Sequence, residues 1–204
     1  MQILFSNINL FHFVFIFTFY KRVSTDDIFA NYVEIVSPNI YRLWWNFTDT
    51  NITAKIEVKT LGWVSFGITK DGEITDSDLF VAWFNPISGK TNFIDSHFKG
   101  DSIILPDELQ NWQLLDAYEA DGYTHIKFTR YIELSNIDQY DVDIEKGTPM
   151  ISYAWSTVDP LTYLNYETAK KGTINIPLLN GLNEIPNYNN FSNIEYHYYP
   201  SPLL

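Results

Sequence analysis

Asp78 stands at the mouth of an unbroken apolar run, Leu79-Phe80-Val81-Ala82-Trp83-Phe84. An acidic residue at the mouth of a buried strand marks the one plausible ligand site of the chain. Two readings of it compete. Its oxygens can hold a hard cation of the calcium class, with Asp76 and Asp95 close in sequence to add charge. Alternatively they cap the strand by accepting backbone N–H groups. The other reactive side chains are thinly spread. His12, His97, His125 and His197 form no His-x-His pair and no His/Met cluster, so copper has no ligand set in this chain. His125 alternates with Ile126 and Phe128 and is expected at the surface. His97 follows Asp95 and is either a solvated strand residue or a neighbour of the Asp78 site. The absence of cysteine excludes a disulfide, a zinc–thiolate centre and a thiol nucleophile. No G-x-S-x-G elbow is present, and no acidic pair is marked out for glycoside chemistry. These residues point to binding rather than catalysis.

Charge narrows the partners. A net charge of -12 over 204 residues repels phosphate backbones, so nucleic acid is not an expected partner. Hydrophobic residues at 46% suffice for one packed domain. The N-terminal stretch from Ile3 to Tyr20 is almost continuously apolar and is followed by Lys21-Arg22 and Ser24-Thr25-Asp26-Asp27. Residues 1–25 read as a signal peptide cleaved near Val23 to Asp27, or as a signal anchor. Asn7, Asn9 and His12 favour the first; the aromatics at its end and the Lys-Arg pair favour the second. Membrane contact is expected only through an uncleaved N-terminal segment, and the destination is the secretory lumen or the extracellular space. Three acceptor sequons agree with that route: Asn46-Phe47-Thr48, Asn51-Ile52-Thr53 and Asn190-Phe191-Ser192.

The elements that must position Asp78 are strands. Period-2 or continuous apolar runs occur at Tyr32–Val36, Tyr41–Phe47, Ile52–Val58, Trp63–Ile68, Leu79–Phe84, Asn92–Phe98, Trp112–Tyr118, Tyr123–Ile132 and Met150–Ser156. Asp71-Gly72 and Asp121-Gly122 mark turns, the second a hairpin. Ile103 to Gln110 has room for a short helical turn after Pro106. No segment has a long helical period. The expected fold is all-β, an antiparallel β-sandwich of roughly nine to ten strands with a general immunoglobulin-like architecture, over residues 30–180. Residues 181–204, rich in Asn, Pro and Tyr, read as an extended tail or linker. Trp44 and Trp45 are adjacent, so they face opposite sides of their strand. At least one is offered to a ligand, a partner surface, or an overlying loop or glycan.

The ordered series Gly62-Trp63-Val64-Ser65-Phe66-Gly67-Ile68, Asp76-Ser77-Asp78-Leu79-Phe80-Val81-Ala82-Trp83, Asn111-Trp112-Gln113-Leu114-Leu115, His125-Ile126-Lys127-Phe128-Thr129-Arg130 and Gly147-Thr148-Pro149-Met150-Ile151-Ser152-Tyr153-Ala154-Trp155 resembles the DOMON family. The likeness covers roughly Asn39 to Leu179. This is the β-sandwich module found beside dopamine β-monooxygenases and in extracellular cytochromes. The resemblance implies ligand binding, with haem or sugar proposed for different members. Its monooxygenase branch implies a hard-cation site. The matching positions here are Asp78, the Leu79 carbonyl, Ser96 and Asn111, with Asn111 standing where Asp is commoner. For haem, the axial positions fall near Ile74 and Leu164, which carry no ligand atom, so haem is not expected; Tyr163 and Tyr166 nearby read as packing residues. Lys171-Gly172-Thr173 with Leu178-Leu179-Asn180 resembles the exit segment of the monooxygenase branch. That branch also carries a Cys near the position of Ile137. The expectation is a non-catalytic ligand-binding or interaction module, with one Ca-like cation. The alternative is the N-terminal regulatory domain of a dopamine β-monooxygenase-like copper enzyme. A haem-binding electron-transfer domain is third.

Overall fold

The computed structural model describes residues 28–85, 88–99, 103–134, 139–147, 149–160, 164, 166–180 and 197–198. Residues 1–25, where a signal peptide or signal anchor is expected, Ile137 and Asn190 lie outside them. So does the tail, apart from His197–Tyr198.

The alternating runs become two antiparallel sheets facing each other. The first joins β1 (Asn31–Val36), β2 (Tyr41–Phe47), β3 (Asn51–Val58), β9 (Tyr123–Tyr131) and β8 (Gln113–Ala120) in the order β1-β2-β3-β9-β8. The second has the order β12-β11-β10-β4-β5-β6-β7. It is built from β4 (Val64–Thr69), β5 (Ser77–Asn85), β6 (Lys90–Lys99), β7 (Ile103–Pro106), β10 (Met150–Trp155), β11 (Lys170–Asn175) and β12 (His197–Tyr198). The nine strands expected from sequence are all present, and β7, β11 and β12 are additional. Ile103 to Pro106 pairs with β6 as a strand, and residues 107–110 form no helix, so the short helical turn expected after Pro106 is not there. The one short helix among the described residues is a 3₁₀ turn at Ile74–Asp76. Asp121-Gly122 makes a two-residue hairpin with φ of 53° and 82°, the left-handed pair that suits strand twist.

Periodicity places the core. In β3 and β9, Ile52, Ala54, Ile56, Val58, Ile126 and Phe128 turn inward against Val64, Phe66, Ile68, Phe80 and Ala82 of the facing sheet. Each large apolar side chain so buried stabilises the fold by ~1.5–3 kcal/mol. Among the polar contacts that bridge the layers, Tyr41 donates its hydroxyl hydrogen to the Ser65 carbonyl at 2.9 Å, and Trp45 Nε1 donates to the Leu178 carbonyl at 2.8 Å. Strand β5 is apolar on both faces because both are covered. Phe80 and Ala82 meet the sandwich core. Leu79 and Val81 meet an outer cluster with Trp63, Ile74, Ala154, Tyr166 and Ala169. This explains the continuous run after Asp78 and aims Asp78 itself between the sheets.

Candidate functional site

Asp78 is fully buried at the start of β5, and both of its oxygens are taken. Oδ1 accepts from Trp112 Nε1 at 2.5 Å. Oδ2 accepts from Arg130 Nη1 at 2.6 Å and from the Val142 amide at 3.0 Å. Arg130 ends the inward-facing series of β9. It also donates to the carbonyls of Val142 and Tyr131, and its guanidinium lies 4.6 Å from the centre of the Trp112 ring. A dry carboxylate is thus matched by a dry guanidinium, with hydrogen bonds to spare.

Beside this pair lie carboxylates with less support. On β6, Asp95 sits opposite Phe80 and His97 opposite Asp78. Asp95 is completely buried. Its Oδ2 accepts from the backbone amides of Asn111 (2.6 Å) and Trp112 (3.1 Å), while Oδ1 has no donor. The Gln110 side chain accepts from the Asp95 amide and donates to its carbonyl, stitching the β7–β8 loop onto β6. Asp107 pairs with His97 Nδ1 through Oδ1, and its buried Oδ2 has no donor. Asn111 donates its side-chain N–H to Asp141 Oδ2 at 2.6 Å. Oxygens of Asp78, Asp95 and Asp141 lie within 4.8 Å of one another. Burial, and then the charge of Asp78, push the Asp95 carboxyl up to about 8 against the two amide bonds that oppose them. Asp107 is also raised, by burial that outweighs its bond to His97. Asp141 lines a groove of about 570 Å³ bounded by Lys70, Asp71, Asp143, Glu145 and Lys146, so the cluster has an approach from that side.

The residues expected from sequence divide. Leu79 and Ser96 are register partners on β5 and β6. The Leu79 side chain lies in the outer cluster, and the Ser96 hydroxyl donates to the Ile94 carbonyl. Asn111 joins Asp95 to Asp141. Asp76 is exposed on the 3₁₀ turn, apart from the cluster. His97 is not solvated: its side chain is 14% exposed and stacks on Tyr140 at 3.7 Å. His125 does face outward, yet Tyr118 stacks over it at 4.4 Å and Glu57 lies 3.4 Å away. Of the two tryptophans, Trp45 is fully buried and drops out of the surface proposed for it. Trp44 faces out. Its ring already meets Tyr32 at 5.0 Å, Lys55 at 4.4 Å and Arg42 at 5.4 Å. Asn46 is held by the backbone of the entering chain, accepting from the Ala30 amide and donating to the Ile28 carbonyl. Asn51 Oδ1 accepts from the Thr50 hydroxyl. The two haem positions do converge: Ile74 and Leu164 share the outer cluster, where Tyr166 stacks on Trp63 at 6.2 Å.

Comparison with known proteins agrees with this architecture. The family model of the DOMON domain matches residues 37–156. The chain belongs to the DOMON family. "MOXD1 homolog 2" of Drosophila melanogaster is 30% identical over 122 residues, covering 59% of this chain and 16% of that protein. "Putative DBH-like monooxygenase protein 2" of Homo sapiens is 30% identical over 143 residues, covering 69% and 28%. "DBH-like monooxygenase protein 1" of Gallus gallus is 28% identical over 141 residues, covering 69% and 22%. This DOMON chain therefore spans less than a third of the length of these relatives. Among solved structures, the cytochrome domain of Myriococcum thermophilum cellobiose dehydrogenase superposes with a TM-score of 0.51 at 12% identity, over 72% of this chain and 80% of that one. The cytochrome b domain of pyranose dehydrogenase from Coprinopsis cinerea gives 0.50 at 13%, over 67% and 77%. At such identities the likeness is one of fold. No helix among the described residues is long and apolar enough to cross a membrane.

Proposed function

We propose that this DOMON chain is a non-catalytic binding module of the DBH-like monooxygenase line, acting in the secretory pathway, and that it holds one hard cation at the Asp95–Asp141 cluster. One observation carries the ion: three buried carboxylates converge within 4.8 Å, and Asp95 Oδ1 has no donor. The donor set fits calcium, which takes carboxylate and carbonyl oxygens in a flexible shell. Asp78 is already matched by Arg130, so Asp95 and Asp141 would supply the charge, Asp78 would orient Asp95 through Trp112, and Asn111 would hold Asp95 beside Asp141. Chemistry beyond binding is not asked of these residues.

Calcium titration of the full chain by calorimetry tests this. Saturable uptake of one ion, lost in Asp95→Asn and Asp141→Asn with unchanged circular dichroism, is the expected result. No uptake by the folded chain sinks the ion. A Soret band in the same sample would instead make the module a cytochrome despite Ile74 and Leu164. Membership of the monooxygenase line has a separate check, since a transcript continuing past Leu204 into histidine-rich sequence would place the module at the head of a copper enzyme.

A further inference from the structure

Every open sheet has edges, and an edge strand with free N–H and C=O groups recruits other strands unless something blunts it. Three of the four edges here are blunted. β1 carries a register break between Glu34 and Val36 and runs into Pro38; β8 carries one between Leu114 and Asp116; β7 is four residues long and ends in Pro106. β11 is different. It pairs with β10 at six consecutive positions without a break and contains no proline. Lys171, the residue type that usually guards an edge, is folded back: its Nζ donates to the carbonyls of Tyr166 and Glu167. On the outer side of β11, among the described residues, Gly172 and Thr173 alone are paired, with Tyr198 and His197. This edge therefore accepts a strand, and the strand it accepts is the chain's own C-terminal segment.

Sixteen residues, 181–196, connect the sheet body to β12. At roughly 3.3 Å per residue that length reaches about 50 Å when extended, enough for the β11 of a neighbouring molecule as well as its own. Contacts at the edge are the same in either case, so concentration sets the balance. We propose that the outer edge of β11 is a strand-addition site and that it takes the His197–Tyr198 segment of a second copy of this chain, in exchange with its own.

The lack of cysteine makes the test clean. One full-length chain carries Thr173→Cys and another His197→Cys, the two residues that lie opposite each other. The expected result on mixing and oxidation is a disulfide-linked heterodimer whose yield rises with total concentration and falls when unlabelled wild-type chain is added. If the double variant closes an internal disulfide while the mixture gives no heterodimer, the segment stays on its own molecule and the proposal fails. It fails equally if no crosslink forms in either arrangement. Light scattering on unmodified chain gives a second reading: a concentration-dependent dimer that Tyr198→Pro abolishes supports exchange. A dimer that survives the proline, or no dimer at any concentration, overturns it. Asp95→Asn leaves these readouts unchanged, so this result and the calcium titration stand or fall separately.

Discussion

Arg130 and Asp78 meet at 2.6 Å across the interior of the sandwich, and neither side chain reaches solvent. One is the last inward residue of β9 in the first sheet, the other the first inward residue of β5 in the second. The pair therefore clamps the sheets together at the end where Trp112 and Val142 also bond to Asp78. Removing one partner leaves a buried charge alone. Arg130→Ala is expected to cost about 3–5 kcal/mol in denaturant unfolding. The combined Asp78→Leu, Arg130→Met variant should recover much of the loss, because both charges then leave together. An Arg130→Ala chain as stable as wild type would show that Asp78 is compensated by something else.

Asp95 makes stability depend on pH in the unusual direction for a carboxylate. Its folded pKa, about 8, lies above the ordinary carboxyl value of 3.8. Between those values the folded state binds the proton more than the unfolded state, so stability is greatest at the acid end and falls as pH rises toward about 8. Asp95→Asn should flatten this slope in unfolding midpoints measured across the window. If the cluster binds calcium, the ion displaces the same proton. Calorimetry in two buffers of different ionisation enthalpy would then report proton release near neutral pH.

Glu57 works in the opposite direction. On the outer face of the first sheet it meets Arg42 at 2.6 Å and Lys55 at 3.0 Å, with His125 opposite it on β9. Burial raises its pKa, but His125 and Lys55 outweigh that and bring it down to about 2. Its contribution is present above the ordinary value of 4.5 and is lost as pH falls through about 2. Glu57→Gln should therefore lower the midpoint at neutral pH by a modest amount, about 1 kcal/mol, and remove part of the acid-limb loss. An acid limb identical to wild type would show that Lys55 and His125 contribute nothing there.

How much of this was legible in sequence follows from period and charge. Alternation in β3 and β9 located the core, and the apolar run after Asp78 marked a strand covered on both faces. The same alternation places Arg130 inward, in step with Ile126 and Phe128, so the sequence itself carries the signal of a buried cation needing an acidic partner, which the expected cation site does not include. In sequence Asp95 is only nearby charge, because its burial depends on β6 pairing with β5 and on Gln110 closing the loop over it. Asp141 is 63 residues from Asp78, and nothing local in its segment signals the contact. β11 escaped because Lys170-Lys171-Gly172-Thr173 lacks an apolar alternation; its burial comes from the neighbouring strand and the segment around Tyr166.

Gly67 sets the distance on which the site depends. It lies on β4 opposite Leu79, and a Cβ built there would come within 2.5 Å of the Asp78 carbonyl and of the Leu79 Cβ. Values that short force movement of the β5 backbone, because carbonyl and Cβ atoms cannot swing away as a flexible side-chain end would. β5 carries Asp78, so any shift is passed to the bonds with Trp112 and Arg130. Gly67→Ala is expected to destabilise by about 1–3 kcal/mol, and to weaken calcium uptake along with stability. Ser65→Ala on the same strand removes no close approach of this kind and serves as the control. Equal stability of Gly67→Ala and wild type in urea would mean that β4 and β5 can separate without cost, and that Asp78 is not positioned through this contact.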